Sequence, residues 1–174
     1  MRVNKAGGFT LIESVVVIVL LGTIAAKALP QFANVTDAAH HANAAAMAGA
    51  VRSAATLVKA TYVVKGRAGV QNSVNGFGSN NVDVNAFGYP VDTTSTNPTN
   101  NATINANKCL RVWNGVLDNA PTITTGTSTA FDYRAQAVTV AGQRACRFTY
   151  RRATSPVRRF DYFVNTGNFT IANP

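Results

Sequence analysis

Residues that could do chemistry are few in this chain, and their spacing does not bring them together. His40 and His41 are adjacent. Neighbouring residues of a helix point about 100° apart, so the two do not form the i,i+4 pair that chelates a metal. The seven acidic residues are dispersed, with no carboxylate pair and no glycine-rich phosphate loop. The sequence therefore predicts no enzyme, no metal site and no cofactor.

The two cysteines, Cys109 and Cys146, show no C-x-x-C spacing. A lone, widely separated pair argues against a zinc site and against a thioredoxin-like motif. In an oxidising compartment the pair is expected to form one disulfide, whereas two unpaired buried thiols are the alternative in the cytosol. The choice depends on whether this part of the chain is exported.

A cluster of arginines near the C-terminus could bind an anionic ligand. Its members are Arg144, Arg147, Arg151, Arg152, Arg158 and Arg159. Aromatic residues interleaved with such charges can bind single-stranded nucleic acid, but strand alternation sends these aromatics mostly inward and the arginines outward. A solvated strand face is therefore the favoured interpretation, then pairing with a neighbouring copy, and last DNA or an anionic glycan. The net charge of +9 attracts nucleic acid, anionic lipid and acidic glycans alike, so it does not choose among them.

Residues 9–29 form an almost unbroken apolar run. As a helix they span roughly 32 Å, enough to cross a bilayer core of about 30 Å. Arg2 and Lys5 precede the run. The positive-inside rule then keeps the N-terminus cytoplasmic and sends the rest of the chain outward, where a disulfide can form.

The glycine pair Gly7-Gly8 marks a break before the apolar run, whereas the run ends in a poor signal-peptidase site. A cut after Gly8 would leave the apolar helix on the mature protein as an anchor. Glu13 is a carboxylate inside this helix, which is costly in lipid and calls for a partner. The new ammonium of Phe9, on the same or a neighbouring subunit, could be that partner, or Glu13 could be solvated at interface depth.

The motif around the glycine pair resembles the type III signal of type IV prepilins and pseudopilins. It reads Lys5-Ala6-Gly7-Gly8-Phe9-Thr10-Leu11-Ile12-Glu13. The resemblance implies that a prepilin peptidase cuts after Gly8 and methylates Phe9, and that Glu13 acts in assembly. It also implies an inner-membrane subunit, with its N-terminus cytoplasmic, that an inner-membrane platform assembles into a homo-oligomeric extracellular filament.

The pattern of the chain divides it into five segments: a leader at residues 1–8, a membrane and filament-core helix at 9–29, an amphipathic second half of the helix at 30–65, a Gly/Asn/Thr-rich loop at 66–107 and a β-sheet at 108–174. Gly22 and Pro30 are weak points of the long helix. Alternation predicts strands at 109–113, 131–140, 144–152, 159–164 and 169–171. The expected fold is α+β, a long helix packed on about four antiparallel strands, with the disulfide joining the first strand to the third.

A narrower resemblance links the chain to the mannose-sensitive haemagglutinin (MSHA) pilins. It rests on Pro30-x-Phe32, the Ala/Gly-rich run 47–54, Asn85-Ala86-Phe87-Gly88-Tyr89-Pro90, and the sequences that follow Cys109 and Cys146. The leading hypothesis is a major pilin that serves attachment to a surface or host receptor. The alternatives are a pseudopilin or minor pilin of a secretion system, or a DNA-uptake pilin that binds nucleic acid through the arginine cluster.

Overall fold

The computed structural model describes residues 9–77, 81–94, 104–153 and 155–172. The chain divides into two compact units between Ala39 and His40. The described residues form two helices and eight strands, in the order α1, β1, β2, β3, α2, β4, β5, β6, β7, β8. The architecture is α+β, as the sequence predicts.

The first helix, α1, covers Leu11–Val64 and contributes to both units. Its end is a Schellman motif: Gly66 adopts a left-handed φ of 61°, its N–H donates to the carbonyl of Val63, and the N–H of Arg67 donates to the carbonyl of Tyr62. The left-handed φ favours glycine at this position, because it has no Cβ to clash with the backbone.

The part of α1 in the second unit buries one face made largely of small side chains. Ala44, Ala48, Val51 and Ala55 recur at steps of three and four residues, and all belong to the main core cluster. Short side chains at these positions let the helix backbone come close to the layer that it packs on.

Three short strands lie in the segment 66–107, which the sequence analysis predicts to be a loop. They are β1 (Gln71–Val74), β2 (Val82–Val84) and β3 (Pro90–Asp92), paired antiparallel in that order. Their valines are buried, yet each apolar run is too short and too surrounded by turn-forming residues to signal a strand. Residues 95–103 of the predicted loop lie outside the described residues.

The strand predicted at residues 109–113 is wrong, because these residues belong to helix α2, Ala106–Val116. Asn105 is its N-cap and accepts a hydrogen bond from the N–H of Lys108 at 2.9 Å. Cys109, Val112 and Trp113 are spaced by three and four residues, so they fall on one helical face and are all buried.

The main sheet has five strands rather than four: β4 (Ile123–Thr124), β5 (Tyr133–Val140), β6 (Gln143–Tyr150), β7 (Arg159–Phe163) and β8 (Phe169–Ala172). The strands lie in sequence order. The pair β4–β5 is parallel, and the other pairs are antiparallel. One sheet face packs on α1 and α2 around Trp113, whose ring lies 4.8 Å from Tyr133 and 5.1 Å from Phe148.

A buried carboxylate joins the three-stranded sheet to helix α2. These are the two parts of the fold that the sequence does not predict. Asp92 at the end of β3 is 1 % exposed. Its two oxygens accept hydrogen bonds from Nε and Nη2 of Arg111 in α2, at 2.6 and 3.1 Å. Burial raises the pKa of Asp92, but the hydrogen bonds from Arg111, Thr93 and Thr94 outweigh that effect and hold its pKa below the usual value.

Replacing Asp92 by asparagine is expected to lower the free energy of unfolding at neutral pH by about 1.5–3 kcal/mol, the worth of hydrogen bonds to a charged group. Because the pKa of Asp92 is lower in the folded chain, the carboxylate stabilises the fold fully at pH values above 3.8, its pKa in the unfolded chain. This stabilisation is lost as the pH falls through the pKa of the folded chain. Urea unfolding of the full chain in detergent measures both effects. The exposed Asp118→Asn is the matched control, and an equal loss in both variants would contradict the role of the Asp92–Arg111 contact.

Candidate functional site

The large apolar side chains in the N-terminal part of α1 are exposed. Leu11 is 82 % exposed, Ile18 64 % and Leu29 69 %. The helix holds an 18-residue apolar stretch, no part of which is buried within the chain. By length and composition it could cross a membrane. A continuous apolar surface of this size requires lipid or apolar partners.

Glu13 lies in the first turn of α1 and forms a capping box with Thr10. The N–H and the hydroxyl of Thr10 both donate to Oε2 of Glu13 at 2.8 Å. The N–H of Glu13 donates in return to Oγ1 of Thr10 at 3.3 Å. Reciprocal bonds of this kind satisfy N–H groups that would otherwise be unpaired at the start of a helix.

The capping box gives Glu13 a partner that the sequence analysis does not name. Thr10 precedes Glu13 by three residues, which is the T-x-x-E spacing of this motif, so the signal is present in the sequence. Gly8 and the rest of the predicted leader lie outside the described residues. Pairing of Glu13 with the amine of Phe9 therefore stays a prediction.

Gly22 and Pro30, the two predicted weak points, both lie inside α1. A Cβ added at Gly22 would meet no atom within 4 Å. Pro30 has no N–H to donate, so the helix lacks one backbone hydrogen bond there and yet continues. Bending or melting at these positions stays a prediction.

The disulfide joins Cys109 to Cys146, with their Cα atoms 5.4 Å apart and both side chains fully buried. It ties α2 to β6, so the expected link between two strands is wrong, because residues 109–113 are helical. Trp113 lies one turn after Cys109 on the same face of α2 and packs on the same core. The disulfide thus fixes the helix that carries the largest core side chain.

The arginine cluster is divided among several environments. Arg147 forms a two-bond ion pair with Asp161, both contacts at 2.8 Å. Nε of Arg152 lies 2.6 Å from Oδ1 of Asp132. The side chain of Arg151 donates to the carbonyl of Thr127 at 2.7 Å.

The remaining members of the cluster differ in exposure. Arg158 is only 2 % exposed, and its Nη1 donates to the carbonyl of Pro156 at 3.3 Å. Arg144 is exposed near the start of β6, and Arg159 is half-buried at the start of β7. The six arginines therefore do not form one continuous surface. Every aromatic side chain of β5, β6 and β7 is buried, so none of them offers a stacking platform.

No cluster of three or more histidine, cysteine, aspartate or glutamate side chains occurs among the described residues at metal-binding distances. His40 instead lies with Nδ1 3.0 Å from the hydroxyl of Tyr150, beside the core. His41 is half-buried in the next position of α1.

Comparisons with known proteins converge on one class. The prokaryotic N-terminal methylation motif matches residues 3–26. The chain is 50 % identical over 62 residues to the type IV narrow pilus major component PilA5 of Thermus thermophilus, a match that covers 36 % of the chain and about half of the relative (52 %). No solved structure matches the chain. The methylation motif and this identity show that the chain is similar to type IV pilins.

Proposed function

We propose that this chain is a type IV pilin, a structural subunit that waits in the inner membrane and polymerises through α1 into a surface filament. The observation that carries the proposal is the exposed apolar surface of residues 9–29. Lipid covers such a surface before assembly, and the same surface of neighbouring subunits covers it afterwards. The Thermus relative, named as a major component of a pilus, supports this structural role. Pilins are structural subunits and not enzymes.

Glu13 divides its two oxygens between two tasks. Oε2 accepts both hydrogen bonds from Thr10 and so holds the start of α1. Among the described residues, Oε1 has no hydrogen-bond donor, so it is free to accept from the ammonium that a cut after Gly8 would create on Phe9. An ammonium of a neighbouring subunit would fix the axial register between the two helices, because an ion pair in an apolar medium tolerates little displacement.

We propose attachment to surfaces or cells as the task of the filament, and the narrower resemblance to MSHA pilins supports this choice. The partners in assembly are a prepilin peptidase, an inner-membrane platform and further copies of the chain. A pseudopilin or minor pilin is the second candidate. The Cys109–Cys146 disulfide favours a pilin, since pseudopilins and minor pilins often lack a disulfide in the C-terminal region.

Mass spectrometry of sheared surface fibres, with electron microscopy of the same sample, tests the proposal. The expected subunit begins with N-methylated Phe9 and is abundant in the fibres. Gly8→Val is expected to leave the leader attached and to abolish fibres, because a branched side chain would occupy the residue before the cut. Gly7→Ala is the matched control that keeps fibres. Fibres that lack this subunit, or that contain it with its leader, would overturn the proposal.

A further inference from the structure

Two arginines on different strands face the same point on the outer surface of the main sheet. In the register of β5 and β6, Arg134 is the partner of Thr149, and in the register of β6 and β7, Arg159 is also the partner of Thr149. Directly paired residues of antiparallel strands project from the same face. Because Phe148 and Phe160 pack in the core on the opposite face, the row Arg134–Thr149–Arg159 points away from the helices.

Neither guanidinium of this row has a hydrogen-bond or ion-pair partner within the described ranges. Nε of Arg134 is moreover buried and has no acceptor in the part of the chain that the structure describes. Arg147, two residues before Thr149 in β6, differs from these two arginines. Its Nε and Nη2 groups both donate hydrogen bonds to Asp161. Arg134 and Arg159 are both half-exposed, so the accessible parts of their guanidinium groups can meet an acceptor from outside the chain.

The charge balance shows where the acceptor must come from. Residues 40–174 carry thirteen Lys/Arg against five Asp, a difference of +8. Three of the five carboxylates are buried, and Asp132 is paired with Arg152. Asp118 alone among the five is exposed. Other copies of this unit therefore offer the row few exposed carboxylates, which favours an anion from another source.

The geometry favours a small tetrahedral anion. Two strand spacings place the Cα atoms of Arg134 and Arg159 about 9.5 Å apart, and long side chains from both sides can converge above Thr149. Each guanidinium offers a planar fork of N–H donors that matches phosphate or sulfate oxygens, and the hydroxyl of Thr149 adds a donor between them. The absence of an exposed aromatic side chain on β5, β6 and β7 means that the row contacts charge and not bases.

We propose that Arg134, Thr149 and Arg159 form a binding site for a phosphate or sulfate group. The site does not depend on the proposed filament, because all three residues belong to the second unit. Within a filament it would be repeated once per subunit. Repetition would turn a weak single contact into strong attachment to a polyanion.

Titration of inorganic phosphate into the isotope-labelled full chain in detergent, at low salt, tests the site by NMR of the arginine Nε–H groups. The signals of Arg134 and Arg159 are expected to shift together and to saturate, while that of Arg147 stays unchanged. Arg134→Gln and Arg159→Gln are each expected to weaken phosphate binding at least about tenfold, since each removes a charge-assisted contact. Lys65→Gln, which removes the same charge elsewhere, is expected to change binding less than about twofold.

Competition with a short DNA duplex and with a heparin oligosaccharide identifies the source of the anion. A polymer that shifts the same two signals, and loses affinity in both glutamine variants, is the partner of the site. Phosphate binding without an effect of either polymer assigns the site to the free ion. Shifts of all arginines without saturation, or an equal loss in Lys65→Gln, would overturn the site.

Discussion

Replacing Glu13 by alanine is expected to leave membrane insertion and N-terminal processing intact and to abolish filaments. Insertion persists because the substitution removes a charge from an apolar helix and so makes the helix easier to place in lipid. Assembly fails because the carboxylate is the group in residues 9–29 that can pair with the ammonium of an incoming subunit. Cell fractionation, mass spectrometry of the N-terminus and electron microscopy of sheared fibres measure the three steps separately.

Two further variants separate the charge of Glu13 from its capping role. Glu13→Gln keeps an oxygen for the hydrogen bonds from Thr10 but has no charge, and it is expected to lose filaments as Glu13→Ala does. Thr10→Val removes the hydroxyl and leaves the carboxylate, and it is expected to retain filaments. Normal filaments from Glu13→Ala would refute the pairing role. Loss of filaments from Thr10→Val alone would show that the cap is what assembly requires.

The sequence predicts the N-terminal helix well because one physical constraint dominates it. A segment that spans a bilayer must be apolar over nearly its whole length. The sequence alone therefore predicts both the helix at residues 9–29 and the unusual position of Glu13 within it. The strand pattern of β6 is equally legible, because Cys146, Phe148 and Tyr150 alternate with polar residues on a half-buried sheet.

The secondary structure predicted from the sequence is wrong where the helices and strands are short. Residues 109–113 are too few to distinguish a period of two from one of 3.6, and the signal that decides between them is Asn105, the cap that precedes the helix. The strands β1, β2 and β3 have three or four residues each and sit among turn-forming side chains. Only tertiary burial against α1 and α2 makes them strands.

The candidate anion site shows a different limit of sequence reasoning. Clustering along the chain singles out residues 144–159, but sheet register decides which arginines meet. Arg134 lies ten residues before that cluster and reaches Arg159 only through pairing on both edges of β6. Arg147 and Arg152, inside the cluster, are instead neutralised by Asp161 and Asp132.

Replacing Cys109 and Cys146 together by serine is expected to lower the free energy of unfolding of the second unit by about 4 kcal/mol. The estimate follows from the 37-residue separation, because the disulfide restricts the unfolded chain more as the loop grows. Small domains are stable by only about 5–15 kcal/mol, so this loss removes a large share of the total. Urea unfolding of the full chain in detergent, followed by tryptophan fluorescence of Trp113, measures it.

The position of the disulfide predicts which structure is lost first. It holds α2 against β6, and Trp113 on α2 stacks among Tyr133, Phe148 and Phe160 of the sheet. Release of α2 should therefore expose Trp113 and shift its fluorescence before the strands separate. The double variant and the reduced native chain should unfold alike, because both remove the same covalent link. A variant that unfolds at the urea concentration of the oxidised native chain would show that packing around Trp113 alone holds α2 on the sheet.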